Sequence, residues 1–178
     1  MNSYLFKSER LGFRNWTIND VDVFFTEIND DDDVMEFFPF KPSRTQTENF
    51  ILRMQQMYNK TKFCYFAVDL LDTNELIGFI GLSEQSYIKE LGTFVDIGWR
   101  LKKSVWKKGY ATEGANACLK YGFEHLELKK IYSVASEINI NSIAVMKKIG
   151  MQQIKTFNHP KLVNSPNLVS CVLFSITV

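Results

Sequence analysis

Val95-Asp96-Ile97-Gly98-Trp99-Arg100-Leu101 runs into Lys102-Lys103-Ser104-Val105-Trp106-Lys107-Lys108-Gly109-Tyr110-Ala111-Thr112-Glu113, and the fold turns on this stretch. Its first part alternates apolar residues from a β-branched start, which predicts a buried strand. The second part is a basic turn with Gly109 at its tip. Beyond it, Ala111, Ala115, Cys118, Leu119 and Phe123 recur at helical spacing. A strand that passes through a glycine turn into a helix points several backbone N–H groups at one place. The first N–H groups of a helix have no internal partner, and the helix dipole favours negative charge there. With Lys102, Lys103, Lys107 and Lys108 around it, the turn predicts a cradle for a diphosphate. The same pattern also fits an ordinary surface turn with solvated lysines. Neither G-x-x-x-x-G-K-[ST] nor G-x-G-x-x-G occurs, so it is neither a Walker loop nor a dinucleotide fingerprint.

Working outward, Ile131 to Ala135 predicts a further strand. Glu137 to Met151 follows, ending in a short helix with Gly150 at its C-terminal cap. Two ordered motifs now stand in one frame: W-x-x-G-x-A-T-E at Trp106 to Glu113, and N-x-x-S-x-x-V-M-x-K-x-G-M at Asn139 to Met151. Together they resemble the GCN5-related N-acetyltransferases (GNAT), and within them the branch containing the ribosomal-protein N-terminal acetyltransferases. The resemblance extends to Arg10-Leu11-Gly12-Phe13-Arg14-Asn15-Trp16 and to Val34-Met35-Glu36-Phe37-Phe38-Pro39, and so covers nearly the whole chain.

Composition agrees with an enzyme of that kind. The 178 residues suit one domain, 1–178, and 46% hydrophobic content marks a globular chain. A net charge of +1 argues against a nucleic-acid partner. Cys64, Cys118 and Cys171 lie far apart, without disulfide or zinc spacing, and read as small buried residues. No metal-ligand cluster, signal-peptide core or membrane-length apolar run is seen, so the expectation is a cytoplasmic protein without metal, a monomer or homodimer.

Taken in order, Leu11 to Arg14 predicts a strand, and Asn19-Asp20 opens a helix through Ile28. The acidic run Asp30 to Asp33 reads as a cap for the helix carrying Val34 and Met35, although carboxylates at the mouth of a site would also attract amines. Ser43 or Thr45 caps the next helix, through Phe50, Ile51, Met54 and Met57. Cys64 to Leu71 and Leu76 to Leu82 predict a hairpin, with Gly78 and Gly81 marking a bulge or a close backbone approach. Ser83 to Gly92 reads as a loop. Gln152 to Phe157 and Leu168 to Val178 predict the last strands. Between them His159 reads as a loop residue rather than a base. The expected fold is α/β: a mixed, mostly antiparallel twisted sheet with helices on both faces. The resemblance adds that the sheet splays at its centre.

It also implies acetyl-CoA as donor and a primary amine as acceptor: a protein N-terminus, a polyamine, an antibiotic or an amino acid. The pantetheine arm would lie in the splay against the backbone of Trp99 and Leu101. N–H groups from Lys107 and Lys108 through Gly109, Tyr110, Ala111 and Thr112 would hold the diphosphate. Asn139 would bond the arm, and Ser142 would sit near the sulfur; both residue types also favour a helix cap. In the wider superfamily a Tyr thought to protonate the leaving thiolate occupies the position of Met146, and Met cannot donate that proton. Ser142, a water or no specific acid then serves. Asp96 is the best-placed carboxylate for a base, with Glu84 and Glu90 as alternatives. Phe37 to Phe40 would shape the acceptor pocket. A non-catalytic acyl-CoA binding module on the same fold is the alternative, since a fold does not fix function.

Overall fold

The computed structural model describes residues 3–178. Eight strands form one sheet in the order β1-β2-β3-β4-β5-β6-β8-β7. They are β1 (Phe6–Lys7), β2 (Leu11–Arg14), β3 (Tyr65–Leu70), β4 (Leu76–Gln85), β5 (Phe94–Leu101), β6 (Lys130–Ser136), β7 (Gln152–Asn158) and β8 (Ser170–Thr177). The helices are α1 (Val21–Phe24), which continues through a π-helical turn at Phe25–Asn29, then α2 (Asp32–Met35), α3 (Arg44–Thr61), α4 (Tyr110–Glu124) and α5 (Ile140–Lys148). Neighbouring strands run antiparallel except at the centre, where β5 and β6 are parallel and paired only at Asp96 and Tyr132.

Local chemistry accounts for the boundaries. Asp31 accepts from the Val34 N–H, so the acidic run does cap α2. Ser43 and Gln46 form a reciprocal capping box at the start of α3. Gly78 and Gly81 stand where backbones nearly touch: a Cβ on either would lie 2.1 Å from a carbonyl oxygen, of Arg100 and Cys64 respectively. Two expectations need correction. Ser83 to Gln85 is strand, not loop, because these polar residues pair with Asp96, Val95 and Phe94. The short strand β1, which the sequence did not suggest, pairs with β2.

The two faces of the sheet bury different things. On one, α4 lies so close that a Cβ on Gly114 would sit 2.3 Å from Ile80, and one on Gly122 would sit 3.0 Å from Leu82 and Ile131. On the other, α1 and α3 meet an aromatic row: Phe24, Phe50, Phe79 and Tyr65, with successive ring centroids 5.4, 5.5 and 4.9 Å apart. Such ring pairs add about 0.5–1.5 kcal/mol each beyond their burial. At the entry to α1, buried Arg14 bonds Asp20 through Nη1 and Nη2 and Asp69 through Nε and Nη2, at 2.7–2.9 Å. That ion cluster ties β2 and β3 to the first helix. Cys64, Cys118 and Cys171 are buried and free.

Candidate active site

The site grows from the broken pairing at the centre of the sheet. Beyond Asp96 the ladder between β5 and β6 ends. The Ser133 hydroxyl donates to the Ile97 carbonyl at 2.9 Å and closes the apex of the gap. The Lys102 N–H donates toward β4, to Ile77. Backbone groups alternate sides along a strand, so those of Trp99 and Leu101 face the gap. One of them has a protein partner: the Trp106 indole N–H donates to the Leu101 carbonyl at 2.8 Å. Trp106 thereby folds the basic turn back onto the end of β5.

A cavity of about 410 Å³ opens there. From the β5–α4 side it is lined by Trp99, Leu101, Lys107, Gly109, Tyr110, Ala111 and Thr112. Asn139 and Ser142 line it from α5, so the two motifs meet across the gap. Lys108 does not line it, and its carbonyl accepts from Arg10 at 3.1 Å. Gly109 is the N-cap of α4, at φ +85°, a conformation that costs any other residue about 1–2 kcal/mol. It makes no side-chain capping bond, which leaves N–H groups of the first turn for an anion. A Cβ at Gly109 would meet only Arg10, at 3.5 Å, so the space beside the turn is open. Residues and conformation both fit a diphosphate.

Not every cation in the turn belongs to that cradle. Lys102 is 4% exposed and paired with Glu27 and Glu75, and Lys103 pairs with Asp33. Lys102 spends its charge inside the fold and Lys103 on a surface pair, which leaves Lys107 and Lys108 at the turn and brings in Lys148 from α5. The Glu113 of the first motif has a bracing role: it accepts from the Ser8 hydroxyl and from the Arg10 N–H and Nε, at 2.7–2.8 Å. Burial raises its pKa, but those hydrogen bonds outweigh it and hold the carboxyl below its usual value.

At the start of α5, the Asn139 side chain accepts from the Ser142 N–H at 3.1 Å. Asn139, not Ser142, is therefore the cap, and both residues line the cavity. Met146 is 1% exposed and lies in the core.

Asp96 is not brought into the cavity. Side chains alternate along β5, so Asp96, Gly98 and Arg100 project toward the α1/α3 face while Trp99 and Leu101 project toward α4; of the first three only Arg100 lines the cavity. Asp96 is 7% exposed and accepts from the Tyr65 hydroxyl at 2.7 Å. Burial pushes its pKa up to about 7, against the downward pull of Tyr65, Gln85 and Lys161. Gln85 Nε2 donates to the Tyr65 oxygen at 3.4 Å. Burial also pushes the Tyr65 phenol up. The alternatives lie outside the cavity: Glu84 is exposed near Lys60, and Glu90 near Lys155. His159 packs on Tyr87 at 4.4 Å and is held below its ordinary pKa, first by burial. It lines neither recess.

A second recess, about 360 Å³, adjoins the first through Glu36, Phe37 and Phe38, which line both. Pro39, Ile138 and residues 165–168 complete it. The expected role of residues 37–39 as a wall is consistent with this position, whereas Phe40 is 60% exposed and outside it. Sequence reasoning missed Tyr65, Arg100 and Lys148. The K of V-M-x-K-x-G was the available signal for Lys148; for Tyr65 and Arg100 there was none.

Comparison with known proteins agrees with this geometry. The family model described as an acetyltransferase (GNAT) domain matches residues 10–152. An uncharacterized N-acetyltransferase of Bacillus subtilis, YnaD, is 32% identical over 147 residues, 82% of this chain and 81% of its own. The crystal structure of a GNAT-family acetyltransferase from Bacillus anthracis superposes with a TM-score of 0.78 at 30% identity, covering 96% of each chain. The ribosomal L7/L12 alpha-N-protein acetyltransferase RimL, solved with coenzyme A, superposes with a TM-score of 0.78 over 96% of each chain. At 12% identity that likeness shows the fold alone.

Proposed function

The chain belongs to the GNAT acetyltransferase family, whose members transfer acetyl from acetyl-CoA to an amine, and from that premise we propose how its own residues hold the donor and free the acceptor. The observation that carries the reading is the gap between β5 and β6, with the α4 cradle at its open end and Asp96 at its closed one. Acetyl-CoA supplies the acetyl group as a thioester. The N–H groups around Gly109 and the first turn of α4 hold its diphosphate, with Lys107, Lys108 and Lys148 adding positive charge. The gap-facing backbone of Trp99 and Leu101 pairs with the pantetheine arm as an added strand would. The free NH₂ of Asn139 donates to the same arm.

The acceptor approaches from the α1/α3 face, through the recess walled by Phe37 and Phe38. It must lose a proton. Freeing an α-amine of pKa ~8 at pH 7 costs about 1.4 kcal/mol, whereas a lysine-type amine of pKa ~10.4 costs about 4.6. Asp96, at about 7, is matched to the first task. Asp96 is sealed, but Tyr65 is only half-buried and already donates to it. Tyr65 takes the amine proton as it passes its own to Asp96. Ser142, on the α5 wall, donates to the departing thiolate. The acceptor is thus a protein N-terminal α-amine or a small amine of similar basicity.

A mass-detected screen tests this. The protein is given acetyl-CoA with short N-terminal peptides, amino acids and polyamines. Acetylation of α-amines ahead of polyamines is the expected result. Acetyl-CoA binding without any acetylated product would sink the catalytic scheme.

A further inference from the structure

Arg14 is buried and Arg100 is half-buried at the cavity, and the two are treated differently. Arg14 has carboxylates on both sides, Asp20 and Asp69. Arg100 makes no ion pair among the described residues. Its Nη1 donates to the neutral Asn29 Oδ1 at 2.7 Å. Asn29 is turned that way because its own NH₂ donates to Thr47 Oγ1 at 2.9 Å. The Arg100 Nε is buried without a partner. The rest of the guanidinium lies between two rings, with Phe38 at 3.9 Å and Phe79 at 5.5 Å from its central carbon. Burial lowers its pKa to about 10, and the ionisable group acting on it is the Tyr65 phenol.

A guanidinium carries five N–H donors in a planar fork suited to a carboxylate. Removing such a charge from water without a counter-ion is costly. Ring contacts offset part of that cost and satisfy none of the donors in the ring plane. Arg100 also lines the cavity, on the face of β5 that carries Asp96. The two Cα atoms are about 13 Å apart along the strand. Phe79 is stacked on Tyr65 at 4.9 Å and also meets the guanidinium, so its ring connects the two side chains. Phe38, on the guanidinium's other side, walls both recesses. The missing counter-ion therefore has an open approach, from the side where the acceptor enters.

We propose that Arg100 is the anchor for a carboxylate on the acceptor, so that the preferred substrates are amino acids or short peptides with a free acid group a few bonds from the amine. Asn29 holds the guanidinium in plane, and the two rings fix its tilt. The inference rests on the acetyl-transfer reading above and narrows it.

The test uses a series of ω-amino acids and dipeptides, each against its primary amide, with rates corrected for the fraction of free amine. The intact protein should favour acids over amides by at least about tenfold in kcat/KM for the best-fitting pair, as expected when a polar partner is left unserved. Arg100→Gln should bring that ratio to about one, chiefly by raising KM for the acid, and Arg100→Lys should restore part of it. Product from acids and amides alike in the unaltered protein overturns the carboxylate anchor and leaves acetyl transfer standing. No product from any amine overturns both. An equal fall for acids and amides in Arg100→Gln would make Arg100 a brace for Phe38 and reject the proposal.

Discussion

The two sides of β5 do their work by different means. The edge facing β6 and α4 is a backbone surface: N–H and carbonyl groups of Trp99 and Leu101, then the first turn of α4 behind Gly109. The face toward α1 and α3 is a side-chain surface, where Tyr65, Asp96, Phe79 and Arg100 come from three strands. A backbone surface needs only the right conformation, so it suits a donor whose phosphates and amides are always the same. A side-chain surface can change with each substitution, so under the proposed function it is the surface that would select the acceptor. The two surfaces should accordingly fail in different ways.

The largest effect is expected on the side-chain face. Asp96→Asn should lower kcat by about 10²–10⁴-fold, the usual worth of a positioned base, with acetyl-CoA affinity kept. Tyr65→Phe, which keeps the ring on Phe79, should share most of that loss if the phenol is the relay. In the unaltered protein the rate should rise with pH through about 7, where Asp96 ionises, and Asp96→Asn should flatten that limb. Stability should move the other way. Asp96 has a folded pKa above the ordinary carboxylate value of ~3.9. Its contribution to stability is thus complete below that value and is lost as pH rises through about 7. Melting curves should show Asp96→Asn gaining on the parent between about pH 4 and pH 7, with no further gain above. A parallel pH dependence in the two proteins would mean that Asp96 titrates normally and is no base.

On the backbone edge the matching lesion is Gly109→Glu. It forces a side chain into a left-handed turn and sets a carboxylate where the proposed function places the diphosphate. Calorimetry should give acetyl-CoA binding weaker by about 100-fold or more, roughly 2.7 kcal/mol, with circular dichroism unchanged. Undiminished affinity in a folded variant would move the cradle elsewhere.

The same division explains what could be read in the sequence. The motifs that carry Gly109, Ala111 and Thr112, and likewise Asn139 and Ser142, were legible because each is local: its residues are neighbours in the chain, and the structure brings both motifs to one cavity. The strands and the long helices α3 and α4 were legible from their periods for the same reason. That Lys102 and Lys103 are paired could not be read beside the turn, because Glu27, Glu75 and Asp33, which neutralise them, are distant in sequence. Ser83 to Gln85 looked like a loop because its residues are polar; pairing with β5 overrides that weak local preference. Arg100 was hidden for a related reason. What sets it apart is the carboxylate it lacks, and only the packed structure shows which charges have partners.

The smallest effects fall on α5, where the two surfaces meet, and they separate residues three apart in the chain. Asn139 holds the helix by accepting from the Ser142 N–H. Asn139→Ala should therefore lower stability by about 1 kcal/mol, seen in a thermal melt, and weaken acetyl-CoA binding modestly through the lost amide donor. Ser142 uses its N–H in that cap, and its hydroxyl belongs to no capping bond. Ser142→Ala should leave the melting temperature where it was. If the hydroxyl protonates the thiolate, kcat should fall by about tenfold, a discount on the usual range because a thiolate leaves readily. Buried Met146 has no proton to offer in its place. Steady-state rates and a melt on each variant are enough to decide. An unchanged kcat in Ser142→Ala would assign proton delivery to water and reduce the role of α5 to holding the pantetheine arm through Asn139.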